Sequence, residues 1–137
     1  MKTRSQVWDE PPGFALHEDP TLVCDSRQLT LCYELQNPSG HFAIVEFSGL
    51  IDHHLCPIND EGLGSHPYAK AGLQYYEFNE LFDSAETKRW KVLRGRHWVI
   101  TFKDQTLDIV AQEARVAIAD TEGKSPLDAL LRFHAAP

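Results

Sequence analysis

Apolar and polar residues first alternate at Arg27–Gln36, with Leu29, Leu31, Tyr33 and Leu35 on one side and Gln28, Thr30, Cys32 and Glu34 on the other. A period of two over such a run predicts a half-buried β-strand. Asn37-Pro38-Ser39-Gly40 is turn chemistry, and His41–Leu50 supplies a second strand through Phe42, Ala43, Ile44, Val45 and Phe47. A four-residue loop would set Leu35 opposite Phe42 and Tyr33 opposite Ile44. Leu31 then meets Glu46, a mismatch that predicts either a bulge or a particular role for Glu46.

A second hairpin runs from Arg96 to Lys103, turns at Asp104-Gln105 and returns from Thr106. A two-residue turn pairs Phe102 with Leu107, Ile100 with Ile109 and Trp98 with Ala111. The opposite face pairs Thr101 with Asp108, Val99 with Val110 and His97 with Gln112. One face is uniformly apolar and the other mixed, as a hairpin lying on a core requires. The return strand continues through Val116 and Ile118 to a turn at Asp120-Thr121-Glu122-Gly123.

Between the hairpins, residues 51–65 read mostly as loop. Ser65-His66-Pro67 opens a short helical turn that Gly72 ends. The aromatic run Leu73–Leu81 reads as a strand. Asp83-Ser84-Ala85-Glu86 caps a helix of about two turns, ended by Gly95. Ser125-Pro126-Leu127-Asp128 starts a C-terminal helix with Leu127, Leu130, Leu131 and His134 on one stripe. Residues 1–20 hold Pro11, Pro12, Gly13 and Pro20 and follow neither period. They read as an extended arm, with Trp8, Phe14 and Leu16 available to pin it. The expectation is one α+β domain over residues 21–137. It has an antiparallel sheet of about five to six strands, two short helices, and a C-terminal helix packed on one face. The faces of Leu29/Leu31/Tyr33 and Trp98/Ile100/Phe102 should meet that helix at Leu127, Leu130 and Leu131.

Composition narrows the function classes. The chain has 137 residues, 42% hydrophobic and 24% charged, with 13 Lys+Arg against 20 Asp+Glu and a formal net charge of −7. That is a folding composition, and its sign argues against nucleic acid as partner, because phosphate is bound mainly by Lys and Arg. The one basic run, Lys88, Arg89, Lys91, Arg94 and Arg96, reads as a solvated helix face or a local site for an anion or acidic partner. Cys24, Cys32 and Cys56 are odd in number and lack CxxC spacing, the N-terminus carries no apolar signal region, and no apolar run approaches the ~18 residues of a membrane span. A reduced, cytoplasmic protein without membrane contact is expected, with Cys32 buried and inert in its strand.

Three constellations carry chemistry. Asp52-His53-His54 with Cys56 and His66 offers zinc-type donors, although no HExxH or CxxC accompanies them. They define a metal-dependent hydrolase as the alternative reading, with His53, His54, Cys56 and His66 as ligands. Tyr75, Glu77 and Asn79 share a predicted strand face, with Tyr76, Phe78 and Glu80 on the other. A carboxylate among tyrosines suits binding, or acid–base work if its pKa is raised. His97 and Asp108, four positions apart along the predicted hairpin, are about 13 Å apart and too distant to pair directly. Glu113 stands roughly opposite Arg96 as a cross-strand ion pair.

The spaced pattern His66-Pro67, Gly72-Leu73, Tyr75, Glu80, Ser84, Trp90, His97-Trp98, Phe102, Asp104, Leu107, Asp108 and Ala111 resembles a group of small uncharacterised bacterial domains. The resemblance covers about the middle third of the chain and brings no catalytic signature. It implies a bacterial origin and no settled activity. Small acidic bacterial domains of this kind include immunity-type proteins that occlude a toxin, an analogy of association only. The reading is a non-enzymatic protein-binding or regulatory module, without cofactor. Its partner is another protein or a second copy of itself, and its contact residues are Tyr75, Glu77, Glu80, His66 and His97.

Overall fold

The computed structural model describes residues 2–135. Seven strands form one antiparallel sheet: β1 Arg4–Val7, β2 Thr21–Cys24, β3 Gln28–Glu34, β4 His41–Cys56, β5 Phe78–Phe82, β6 Arg96–Thr101 and β7 Thr106–Glu122. Their order across the sheet is β1-β5-β6-β7-β4-β3-β2. Two helices follow the sequence signals, α1 Ala85–Arg89 and α2 Pro126–Ala135. The sheet is larger than the five to six strands expected. Part of the arm, Arg4–Val7, pairs with β5 as an edge strand. The helical turn expected from Ser65 to Gly72 is a 3₁₀ turn at Ala69–Ala71, preceded by another at Leu63–Ser65.

The two long central strands organise everything else. β4 and β7, 16 and 17 residues long, pair along most of their length. Residues 51–56, expected as loop, continue β4 opposite Thr106–Ala111. β7 likewise runs through Thr121 and Glu122, expected as turn. β4 changes direction at Gly49, whose φ is +64°, next to a register shift between Leu50 and Asp52. Positive φ is open to glycine at little cost, and the bulge sharpens the bend.

Both hairpins form, with registers other than those expected. In β3–β4, Tyr33 faces Ala43, Leu31 faces Val45 and Leu29 faces Phe47. This is a one-residue slip, and it turns Phe42 and Ile44 to the opposite side of the sheet. Glu46 then lies opposite Thr30 and accepts from Gln28 and Arg115, so no mismatch remains. In β6–β7 the connection is four residues long, and Thr101 faces Thr106, Ile100 faces Leu107, Trp98 faces Ile109 and His97 faces Val110. Here the slip keeps every residue on its expected face. The predicted strand at Leu73–Leu81 starts only at Phe78, because Tyr76 takes a left-handed φ of 58°.

The sheet curls strongly. β3 and β5 are four strands apart, about 19 Å in a flat sheet, yet the rings of Tyr33 and Phe78 are 5.7 Å apart. The concave side encloses the main core, with Leu29, Leu31, Val45, Phe47, Trp98, Ile100, Leu107 and Ile109 fully buried. The arm seals the opening between the two ends of the curl. Phe14 packs on Tyr33, Phe78 and Phe102, and Trp8 packs on Phe47 and Phe78. Backbone bonds from Trp8 to Phe78 and from Gln36 to Gly13, with Tyr33 donating to the Pro12 carbonyl, fix it there. Leu16 is 40% exposed and pins nothing.

The convex side is covered in two places. α2 packs Ala129 and Leu130 onto Cys32, Phe42 and Ile44, with Phe133 alongside. This corrects the expected docking: α2 lies on the side opposite Leu29/Leu31/Tyr33 and Trp98/Ile100/Phe102, and Leu127 and Leu131 are 50% and 59% exposed. Cys32 is buried, and burial pushes its thiol up to about 12, so it is inert. At the other end of the convex side, residues 57–77 and α1 lie over β6 and β7.

Candidate functional site

The site lies on the convex side, where the outward residues of β6 and β7 meet α1 and the segment around His66. Thr106 holds the Ile58 carbonyl at 2.8 Å and Thr101 holds the Gln74 carbonyl at 2.6 Å, so both ends of the covering segment are tied to the sheet. Ser84 caps α1, its side chain accepting from the Thr87 N–H at 3.1 Å. The expected acidic cap at Asp83 falls one residue early; Asp83 has a left-handed φ of 59° and turns the chain into the helix.

His97 and Asp108 are in direct contact, at 3.0 Å between Nε2 and Oδ1. The expectation of about 13 Å rested on a two-residue turn. With His97 opposite Val110 and Val99 opposite Asp108, the two residues are diagonal neighbours on one face, within reach of long side chains. Arg96 is corrected likewise. It faces Ala111 and makes a two-pronged bond to Glu80, both contacts 2.9 Å, where Glu113 was expected.

Asp108 is the centre of a network. Its Oδ2 takes the Nε2–H of His66 at 2.9 Å while Oδ1 takes that of His97. His66 Nδ1 accepts the Tyr68 N–H at 3.0 Å. A backbone amide can only donate, so the proton of His66 sits on Nε2. His97 Nδ1 is 3.0 Å from Ser84 Oγ and 3.4 Å from Glu86. The Tyr68 hydroxyl donates to Glu86 at 2.5 Å and accepts from the Ala85 N–H at 2.9 Å. Burial acts to raise the pKa of Asp108. The hydrogen bonds from His66 and His97 more than offset it, and hold the carboxyl below its ordinary value. Burial and the bond to Glu86 push the Tyr68 phenol upward.

Ser84, His97 and Asp108 form a chain of contacts with the connectivity of a hydrolytic triad. The geometry gives it a structural role. Ser84 is fully buried and His97 is 1% exposed, and Ser84 Oγ is held as the cap of α1. The serine therefore cannot reach a substrate, and the imidazole has no nitrogen left for one.

Beside this network opens a pocket of about 370 Å³. Asp108 and Glu86 reach it with 24% and 36% of their side chains exposed. Asp52 stands at its rim, and Ile58, Pro67 and Val110 form apolar wall. Its lining includes no Lys or Arg.

Of the expected binding residues, His66 lines the pocket and His97 lies buried beneath it in the network. Tyr75 and Glu77 are exposed in the turn before β5. Tyr75 stacks against Tyr76 beside Asp60 and Glu61, away from the pocket. Glu80 is buried in its ion pair with Arg96. The expected metal ligands His53, His54, Cys56 and His66 all line the pocket, and the His53 ring also contacts Cys24, with Nε2 3.4 Å from Sγ. These four do not converge. Among the described residues, the trio of His, Cys, Asp or Glu with ligand atoms within 4.8 Å of one another is His17, Glu18 and Glu34, at the arm.

Sequence reasoning passed over Tyr68, Ser84 and Glu86 as site residues. Their signal was present: the capping run starting at Ser84 fixes Glu86 in the first turn of α1, on the helix that covers His97. Among the described residues no helix is long and apolar enough to cross a membrane. Comparison of the chain with protein-family models, curated proteins and solved structures gives no match.

Proposed function

We propose that this protein is a non-enzymatic recognition module that takes a positively charged side chain of a protein partner into the pocket over Asp108. One observation carries the reading: Asp52, Glu86 and Asp108 line one pocket with no Lys or Arg among them. Carboxylates that share a partly dry cleft set up a negative potential there, which draws and orients a cation. The apolar wall of Ile58, Pro67 and Val110 suits the methylene stem of a lysine or arginine, which buries its carbons and keeps its charge on the polar groups. The internal hydrogen bonds of His66 and His97 support a binding role over catalysis, since neither ring keeps a free nitrogen to act as base. The resemblance to small bacterial domains belongs to this reading, because His66, Ser84, His97 and Asp108 carry both the pattern and the network. Exposed Tyr75 and Glu77 would form a second contact patch, separate from the pocket. Glu80 supports it only indirectly, through Arg96.

The test is titration with N-acetyl-lysine methylamide and its arginine counterpart, against the neutral norleucine analogue, followed by NMR. Saturable shifts at His66, Tyr68 and Asp108 are expected for the cations, about tenfold weaker in Asp52→Asn and Glu86→Gln. Equal binding of the neutral analogue, or unchanged affinity in both variants, would overturn the reading. The metal-dependent alternative draws support from His53, His54, Cys56 and His66 sharing one pocket. It requires stoichiometric zinc that is lost in His54→Ala and His66→Ala.

A further inference from the structure

The other side of α1 carries the opposite charge. A groove of about 690 Å³ runs between β1, β5, α1 and the start of β6, and four cations line it: Arg4, Lys88, Lys91 and Arg96. They come from two separate stretches of chain: Lys88, Lys91 and Arg96 belong to the basic run seen in the sequence, and Arg4 comes from the other end of the chain. Arg4 joins them because β1 pairs with β5, setting Arg4 opposite Phe82. Its guanidinium lies 4.4 Å over the Phe82 ring, which holds the charge in place. Lys88 and Lys91 are three residues apart across the end of α1 and the 3₁₀ turn Lys91–Leu93, a spacing that puts both on one side.

Most of this charge is uncompensated. Glu80, one of two acids in the groove, is fully engaged by Arg96 through its two-pronged bond. Among the described residues, Arg4, Lys88 and Lys91 have no carboxylate within 4.0 Å. Asp83 is the remaining acid. In a chain of net charge −7, three free cations facing one groove are a concentration of charge against the overall sign.

We propose that this groove binds a small phosphorylated ligand carrying two adjacent phosphoryl groups. Three free cations balance the two to three negative charges of a diphosphate, with Asp83 left to receive a hydroxyl of the attached group. Arg4 presents a planar fork to one phosphoryl group, and the two lysines act as mobile point charges on the other. The span is too short and the surrounding charge too negative for a nucleic-acid backbone. The inference is independent of the pocket over Asp108, which faces the other side of α1.

Inorganic pyrophosphate is the probe, titrated calorimetrically and by amide NMR into the full chain at low and at physiological salt. Saturable binding is expected at low salt, with shifts at Arg4, Lys88 and Lys91, and weakening as salt screens the charges. Lys88→Ala with Lys91→Ala should weaken it at least about tenfold, Arg4→Ala similarly, and exposed Lys70→Ala not at all. All four side chains are exposed, so these variants retain the fold. The proposal fails if pyrophosphate gives no saturable shifts. It also fails if the double variant binds as the parent does, or if an acidic peptide binds this groove while pyrophosphate does not.

Discussion

Both oxygens of Asp108 accept an imidazole N–H, from rings that arrive on different segments, 42 residues away in one case and 11 in the other. Replacing Asp108 by asparagine keeps one oxygen as acceptor and turns an NH2 donor toward the other imidazole N–H. Hydrogen bonds to a charged group contribute about 1.5–3 kcal/mol each, so Asp108→Asn should lose at least that much stability at neutral pH in urea denaturation. Because folding lowers the pKa of Asp108 from its ordinary 3.8, its contribution is complete above that value. It disappears as pH falls through the lower folded value. The parent protein should therefore lose stability below about pH 3.8, and the stability curve of Asp108→Asn should be flatter over that range. Parallel curves would show that Asp108 is not held by the imidazoles. At this scale the sequence was readable only in part. His66 and His97 were picked out as chemically capable, but their shared partner was hidden by one wrong assumption about turn length.

Elements were legible where periodicity and capping agreed: β3, the first half of β4, β6, β7 and α2 lie where alternation and the Ser125-Pro126 start place them. Registers and faces were less legible, because each depends on partners distant in sequence. In α2 two helical stripes overlap, Leu127/Leu130/Leu131 and Pro126/Ala129/Leu130/Phe133. Periodicity favours neither; the sheet surface of Cys32, Phe42 and Ile44 selects the second. Leu130→Ala should accordingly cost about 2–5 kcal/mol, whereas Leu131→Ala should stay within about 0.5 kcal/mol; thermal melts of the two variants check the assignment. The extension of β4 through Asp52-His53-His54 escaped notice because polar residues dominate it, and it is a strand only because β7 is long enough to pair with it. Its bend depends on Gly49. A Cβ there would lie 2.4 Å from Gln112 Oε1 and 2.8 Å from its Cβ, at a φ of +64°. Gly49→Ala should destabilise by about 1–3 kcal/mol, read from the denaturant midpoint at unchanged m-value.

For the molecule as a whole, the curl of the sheet and the seal made by the arm are a single arrangement, since the concave core has no second sheet to cover it. Phe14, 5% exposed and ringed by Tyr33, Phe78 and Phe102, should cost about 3–5 kcal/mol when truncated to alanine. It should also raise binding of a hydrophobic dye as the opening widens. Leu16→Ala, two residues along and half outside, should do neither. The arm's composition announced an extended segment, but its closing role follows only from the approach of β3 to β5, which no local pattern encodes.

The strand order also bears on how the chain is made. During synthesis β1 to β5 emerge as two separate ribbons, β2-β3-β4 and β1-β5, with no ladder between them. β6 extends only the second. The two ribbons become one sheet when β7, the last of these seven strands to emerge, pairs with β4 on one side and β6 on the other. Until then the apolar faces of both ribbons and the open edge of β4 stand bare, the condition in which a nascent chain is most exposed to mispairing and chaperone capture.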